Sequence, residues 1–525
     1  MTPEKPPRSI LIAGGGTAGW LAACYLAKVF GHGPTSPRIT LIESPDIGTI
    51  GVGEGSIPTI RTTLQTLGID EAEFLRECSA TFKQGIRFVD WEAEGSAYSH
   101  PFEAPYFTDG AGLAPYWLLQ DKATRRPFAE AVTLQTGVAN AGRAPKRIHE
   151  GGYFGGRMNY AYHFDAGKFG RLLARYARAY GVTHLEGRIT EVKTGSHGIS
   201  SLVSPEHGEL SADFYIDCTG FSALLIGQAL GAPFLSVKDI LLTDSAVAIQ
   251  LPYADGKEAI PSHTLATAHE AGWTWDIGLD SRRGVGYVYS SAHSSDERAL
   301  EILRGYLRRY LGDKADNAQA RLIRFDTGYR TQQWVKNCCA IGLSAGFYEP
   351  LEATGIMMIE VAIGLLVDLF PHDGPLDAAA DLFNERMRQR YEKTAEFLKL
   401  HYCLSKRPEP FWRANADPAT LPDNLKRLLD MWRSRPPSRF DTLSDIDIFP
   451  VSSYQYILYG LNYPTDLSAQ AGVHSRIAAA EQTFARILAF TEGAVRDLPL
   501  HRDLIEQVYA RGFSTPAAPR ALKIQ

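Results

Sequence analysis

The stretch ILIAGGGTAGW carries Gly14, Gly16 and Gly19 in the spacing G-x-G-x-x-G, after one apolar run and at the opening of another. Each glycine has its own task in that spacing. Gly14 permits a tight turn, Gly16 lets the backbone approach a pyrophosphate with no side chain between them, and Gly19 lets a helix pack close to the strand before it. Thr17 and Ala18 stand where the helix opens, and there unpaired N–H groups and the positive dipole end face the phosphates. Glu43 follows at close to the spacing of a carboxylate that takes a ribose hydroxyl. The chemistry is dinucleotide binding, and the motif alone does not separate NAD from FAD. Two later glycine-bearing strand ends, YIDCTGFSALL (residues 215–225) and CAIGLSAGFYEPLEATGI (residues 339–356), exceed what a simple NAD domain needs. An extended FAD lying across one sheet brings such distant strand ends back to the flavin, so FAD is favoured.

The elements that must position these residues follow from pattern. Residues 9–13 read as a buried strand, 18–29 as a helix packed on a sheet, and 38–42 as a second strand ending at Glu43. EAEFLRECSATF (residues 71–82) reads as a helix. The aromatic, proline-rich YSHPFEAPYFTDG (residues 98–110) reads as a covering loop, in which His100, Phe102, Tyr106 and Phe107 either line a pocket for a planar ring or lie on the surface. Residues 164–181 predict a helix with an Asp near its start and its arginines facing solvent. Strand text recurs at 183–192, 213–217, 246–251 and 285–290, the last alternating as in a half-exposed antiparallel sheet. Beyond about residue 400 the chain is rich in helix formers broken by RPEPFW and RSRPPSR.

Composition narrows the function classes. Of 525 residues 45% are hydrophobic and 22% charged, and the net charge of -5 argues against a nucleic-acid surface. Six scattered cysteines, with Cys338 and Cys339 adjacent in strand text, show no C-x-x-C pair and no metal-type spacing to histidine, which predicts reduced thiols, a cytoplasmic setting and no metal site. No run approaches the roughly 18 to 20 apolar residues of a membrane span, and the N-terminus lacks the form of a secretory signal.

Taken together, GGGTAGW, GVGEGSIPTIR (residues 51–61), ATFKQGIRFVDW (80–91), NYAYHFDAGKFGRLL, YIDCTGFSALLIGQALG, AGWTWDIGL, GYVYSSA and WVKNCCAIGLSAGFYEPLEATGI resemble the flavin-dependent halogenases, whose best-known members are tryptophan halogenases. The resemblance spans most of the chain. It implies an α/β, Rossmann-type FAD-binding fold like that of flavoprotein monooxygenases, with mixed sheets and a helical C-terminal module covering the substrate. The expected division is an FAD module at 1–395, with substrate-side segments inserted at about 92–160 and 245–330, and a C-terminal module at 396–525. It also implies that reduced FAD from a separate NAD(P)H-dependent flavin reductase, with O2 and halide, yields hypohalous acid, which reaches a small electron-rich aromatic substrate through an internal tunnel. An indole or tryptophan derivative is a candidate substrate, and a homodimer is left open.

The same resemblance assigns residues. Thr354 and Gly355, ahead of the helical text IMMIEVAIGLLVDLF, are the halide contacts. Gly342, Leu343 and Ile356 join the cofactor site, and Leu343 and Ile356 flank the flavin. Lys83 is the catalytic lysine that hydrogen-bonds hypohalous acid or forms a chloramine, and Glu352 is the carboxylate beside the substrate ring. Trp273, Trp275 and Ile277, in the family's W-x-W-x-I-P stretch, border the tunnel. A solvated lysine, a helix-start acid and core tryptophans are the plainer readings of the same text. Two positions depart from the family pattern: Ala353 stands where serine is usual and Gly278 where proline is usual. A flavin monooxygenase that hydroxylates its substrate, and a flavin-binding protein with altered catalysis, remain as alternatives.

Overall fold

A computed structural model describes residues 7–46, 53–108, 111–150, 154–371, 376–442 and 447–513. The start of GVGEGSIPTIR and the Asp109–Gly110 end of the aromatic stretch lie outside the described residues. The central sheet has six strands in the order Thr183–Glu186, Arg38–Glu43, Ser9–Ala13, Phe214–Asp217, Cys338–Ala340 and Trp334–Val335. The first five run parallel and the last is an antiparallel edge. Alternation along Ser9–Ala13 explains how it is covered on both faces. Ile10 and Ile12 pack into the main core with Trp20 and Leu21 of the helix Thr17–Phe30, whereas Leu11 and Ala13 join Ile199 and Leu202 of a small antiparallel sheet behind it.

The second large sheet has seven strands in the order Arg321–Arg324, Ser245–Pro252, Arg282–Tyr289, Gly272–Gly278, Thr264–His269, Gly85–Val89 and Ala97–Pro101. Most of its pairs are antiparallel, and Thr264–His269 runs parallel to Gly85–Val89. Through Gly85–Val89, the strand Ala97–Pro101 of the segment expected at about 92–160 joins the strands of the segment expected at 245–330 in a single surface. A third sheet sets Ala161–Phe164 between Glu54–Gly55 and Thr81–Lys83. The chain beyond residue 400 is largely helical. The core runs without a break from Ile10 to Val508, and the helix Leu376–Cys403 passes through the expected module boundary.

Several local expectations change. The helix over 71–82 stops at Glu77: Ser79 takes a positive φ of 50°, and Thr81–Lys83 pairs instead with Ala161–Phe164. Strand pairing of a β-branched and an aromatic residue outweighs their weak helix propensity. Part of the covering loop, Ala97–Pro101, is an edge strand, with Tyr98 stacked on Phe88 at 4.6 Å. The strand text of 183–192 divides into Thr183–Glu186 and Glu191–Gly195. Arg282–Tyr289 is buried along almost its whole length, because the helix Asp296–Leu311 packs on one face and Trp275 presses on the other over Gly286. The helix Ala166–Ala179 forms as expected, its N-terminus capped by Asp165, whose carboxylate accepts from the Lys168 N–H.

Candidate active site

The glycine turn is shaped by close contacts. Gly14 has a φ of 105°, and a Cβ on it would lie 2.2 Å from the Cys218 carbonyl oxygen at the end of the neighbouring strand. A Cβ at Gly19 would lie 1.8 Å from the Gly14 oxygen. Gly16, the N-cap of Thr17–Phe30, is the opposite case: a Cβ there would meet nothing within 4 Å, and no side chain caps the helix. An uncapped helix N-terminus beside open space is a cradle for phosphate. The Glu43 carboxylate stands over the turn, where a Cβ at Gly15 would come 1.6 Å from Oε2, and His184 Nε2 pairs with it at 2.9 Å. Gly342, at the end of the distant strand Cys338–Ala340, meets the same helix, since its Cβ would lie 2.7 Å from Ala18 Cβ and 3.7 Å from Ile359. The residues present therefore fit an extended dinucleotide. Leu343 is half-buried and Ile356 buried beside this junction.

The segment Glu352-Ala353-Thr354-Gly355 turns sharply into the helix Thr354–Leu369. Glu352 (φ 63°, ψ 10°) and Ala353 (φ 56°, ψ 40°) are consecutive left-handed residues with side chains, a conformation costing on the order of 1 kcal/mol each or more. The turn gives the helix an N-cap without a side-chain acceptor, leaving first-turn N–H groups for an anion. It also divides two environments. Gly355 is exposed, with open space where its Cβ would sit, whereas Glu352 is 2% exposed.

On the buried side, Glu352 Oε1 lies 2.8 Å from His100 Nδ1 and 3.3 Å from His401 Nε2. Burial alone would raise this carboxyl. The charge and hydrogen bond of His100, with His401 adding, outweigh burial and hold it well below the usual carboxylate range. Lys83 ends the strand Thr81–Lys83 and is 1% exposed, with its ammonium 5.4 Å from the centre of the Phe102 ring. Burial pulls its pKa down to about 8 against the opposing effect of the Glu352 carboxylate. Gly55 shows how these pieces meet: a Cβ there would lie 3.1 Å from Lys83 Nζ, 3.5 Å from Ala353 Cβ and 3.6 Å from His163 Cδ2. Burial, then the Lys83 charge, keep His163 neutral.

Trp273 and Trp275 are buried neighbours on one face of the strand Gly272–Gly278, their rings 6.5 Å apart, with Ile277 continuing that face. Glu349 lies beneath Trp273, 3.4 Å from its indole N–H, and accepts from Tyr402 and Thr243 hydroxyls at 2.5 Å each. Gly278 explains its own departure from proline. A Cβ there would come 2.9 Å from Pro261 Cδ and 3.0 Å from the Tyr253 hydroxyl.

The structure thus brings Lys83 and the Glu352–Gly355 turn to one place and the glycine turn, Glu43 and Gly342 to another. The aromatic stretch divides: His100 and Phe102 reach the buried side, while Tyr106 and Phe107 are 38% and 67% exposed. Sequence reasoning missed His401, Ser453, Gly55 and His163. Gly55, a glycine inside GVGEGSIPTIR, and His163, inside NYAYHFDAGKFGRLL, had a signal; His401 and Ser453 had none.

Phosphate-binding turn, parallel sheet and returning strand ends define a Rossmann-type flavoprotein. The tryptophan halogenase family model matches residues 9–475, and the chain belongs to that family of flavin-dependent enzymes. It is 36% identical over 519 residues to the tryptophan 6-halogenase SttH of Streptomyces toxytricini, covering 94% of this chain and 97% of that protein. It is 33% identical over 538 residues to the tryptophan 7-halogenase RebH of Lentzea aerocolonigenes, covering 96% of this chain and 99% of that protein. The crystal structure of a tryptophan halogenase from Shewanella frigidimarina superposes with a TM-score of 0.91 at 40% identity, covering 97% of this chain and 99% of that one. The cofactor is reduced FAD and the co-substrate is halide. No helix among the described residues is long and apolar enough to cross a membrane, and the six cysteines are free.

Proposed function

We propose that this enzyme halogenates an electron-rich aromatic compound, an indole or tryptophan derivative, using hypohalous acid formed on the side of the Gly355 cradle and consumed on the side of Lys83 and Glu352. The observation that carries this reading is the turn at Glu352–Gly355, which sets a buried carboxylate and an exposed glycine within four residues of one another. Reduced FAD, when bound, supplies the electrons that let O2 oxidise halide. The N–H groups at Thr354 and Gly355 hold the halide there, and Gly14, Gly16, Thr17, Ala18, Gly19, Glu43, Gly342, Leu343 and Ile356 hold the cofactor. Trp273, Trp275 and Ile277 wall the passage and exclude direct contact between the two sides. Lys83 hydrogen-bonds the hypohalous acid and gives a proton to its oxygen as the ring's π electrons take the halogen. Glu352 stabilises the ring cation and accepts the ring proton. A separate NAD(P)H-dependent flavin reductase supplies the reduced flavin.

The test combines FAD, a flavin reductase, NADH, O2 and bromide with a panel of indoles, read by mass spectrometry. Brominated product is expected, and Lys83→Ala and Glu352→Gln should each reduce ring bromination more than flavin reoxidation. A mass gain of one oxygen would assign a hydroxylase instead. Unchanged bromination in both variants would remove the proposed roles.

A further inference from the structure

Glu352 is held asymmetrically. Both histidines approach Oε1, and no described group hydrogen-bonds to Oε2. The histidine at 2.8 Å is engaged at both nitrogens: His100 Nδ1 meets Glu352, and Nε2 lies 2.8 Å from Ser453 Oγ, near the start of the helix Val451–Gly460. His100 is 5% exposed and Ser453 4%. A carboxylate accepts only, so Nδ1 carries a proton and donates it to Glu352 Oε1, while the Ser453 hydroxyl engages Nε2 and fixes the plane of the ring. We infer that Ser453 and His100 act in series as positioning residues, committing Glu352 Oε1 to the protein and leaving Oε2 as the oxygen that meets the substrate ring.

The inference rests on the function proposed above and adds which oxygen works and what aims it. In the halogenation step the ring's π pair forms the carbon–halogen bond as the halogen–oxygen bond breaks. The departing oxygen takes a proton from Lys83 and leaves as water. The ring C–H bond then returns its electron pair to the ring, and its proton goes to Oε2. Four other groups from separate elements face this carboxylate or its histidines: His401 from the helix Leu376–Cys403, Lys83 from Thr81–Lys83, Tyr98 from Ala97–Pro101 through its 3.1 Å contact with His401, and Ser453 itself. Of these, His401 bonds Tyr98 at Nδ1 and lies off the line of a hydrogen bond to Glu352 at Nε2. His100, at 2.8 Å, is therefore the closer donor that aims Glu352, while His401 at 3.3 Å adds to keeping it ionised.

The experiment measures single-turnover bromination of indole against pH, with reduced FAD supplied in excess, for His100→Ala, His100→Asn and Ser453→Ala, with folding and FAD binding followed in parallel. His100→Ala should move the acid limb to higher pH and lower kcat by tenfold or more with little change in KM. Asn places an amide donor near the position of Nδ1, so His100→Asn should return the limb toward that of the parent enzyme, and Ser453→Ala should shift it less than His100→Ala. The ratio of brominated ring positions should broaden in His100→Ala, because a freed carboxylate no longer selects one carbon. An acid limb unmoved in His100→Ala, or a rise in KM alone, would overturn the inference and leave His100 a substrate contact or a packing residue. Bromination unaffected by Glu352→Gln would instead overturn the underlying function, whatever His100 does.

Discussion

The protonation of Lys83 separates two chemistries that this site could perform, and the structure places the test within reach of ordinary buffers. With a pKa of about 8, roughly nine-tenths of Lys83 is ammonium at pH 7 and roughly one-tenth at pH 9. If the ammonium is the working form, as proposed, single-turnover halogenation falls about tenfold between those pH values. If the free amine works, by forming a chloramine, the rate rises by a similar factor. The measurement is rapid-quench bromination and chlorination of one indole, normalised to flavin reoxidation so that cofactor chemistry does not enter. The oxidant titrates too, and hypochlorous acid is the stronger of the two acids, so a limb that moves between halides belongs to the oxidant and one that stays fixed belongs to Lys83. Glu352→Gln should move the fixed limb to lower pH, because that carboxylate is the influence that raises the pKa of Lys83. Lys83→Arg should abolish the limb, since a guanidinium stays charged throughout, and Lys83→Ala should lower halogenation about a hundredfold or more. A flat profile across this range, or a limb that persists in Lys83→Arg, would refute the reasoning. The same shift carries a stability sign. The unfolded chain holds the Lys83 proton up to its ordinary 10.5 and the folded chain only to about 8, so this residue makes stability rise with pH between those values, as a denaturant titration at fixed temperature can check.

Three substitutions probe the two ends of the site. Gly355→Ala should leave thermal stability unchanged or raise it by up to about 1 kcal/mol, since its Cβ meets no described atom within 4 Å, while weakening FAD or halide binding measured by flavin fluorescence titration. Gly14→Ala should destabilise the fold by about 3 kcal/mol or more in denaturant unfolding, because it combines a φ of 105° with a 2.2 Å approach to the Cys218 oxygen. Gly278→Pro, which restores the residue usual in the family, should not improve the enzyme. With Pro261 Cδ 2.9 Å from the new Cβ, it should cost about 1–3 kcal/mol in the same assay, unless Pro261 is shortened to Ala.

What was legible in the sequence was legible because it is local. The glycine turn, the strands on either side of it and the caps of Thr17–Phe30 and Ala166–Ala179 depend on residues within a few positions of one another, so spacing and side-chain type were enough. The end of the helix near Glu77 was not, because the decision between helix and strand at Thr81–Lys83 is made by a partner at Ala161–Phe164, some eighty residues away. The same competition puts Lys83 in place: had the helix continued, its side chain would have followed a helical face instead of crossing toward Gly55. Glu352 depends on distance in sequence to an even greater degree. Its histidines come from Ala97–Pro101 and Leu376–Cys403, and the strand that carries His100 pairs with Gly85–Val89, which in turn pairs in parallel with Thr264–His269. A histidine in KLHYC or a serine in VSSYQY shows no periodicity that would point to a carboxylate, so resemblance supplied Glu352 and only the folded chain supplied what holds it. The division follows from the physics of the site. A cofactor grip reads main-chain shape, which short motifs specify, whereas an ionised carboxylate buried away from water needs partners from several elements, and only tertiary pairing can deliver them.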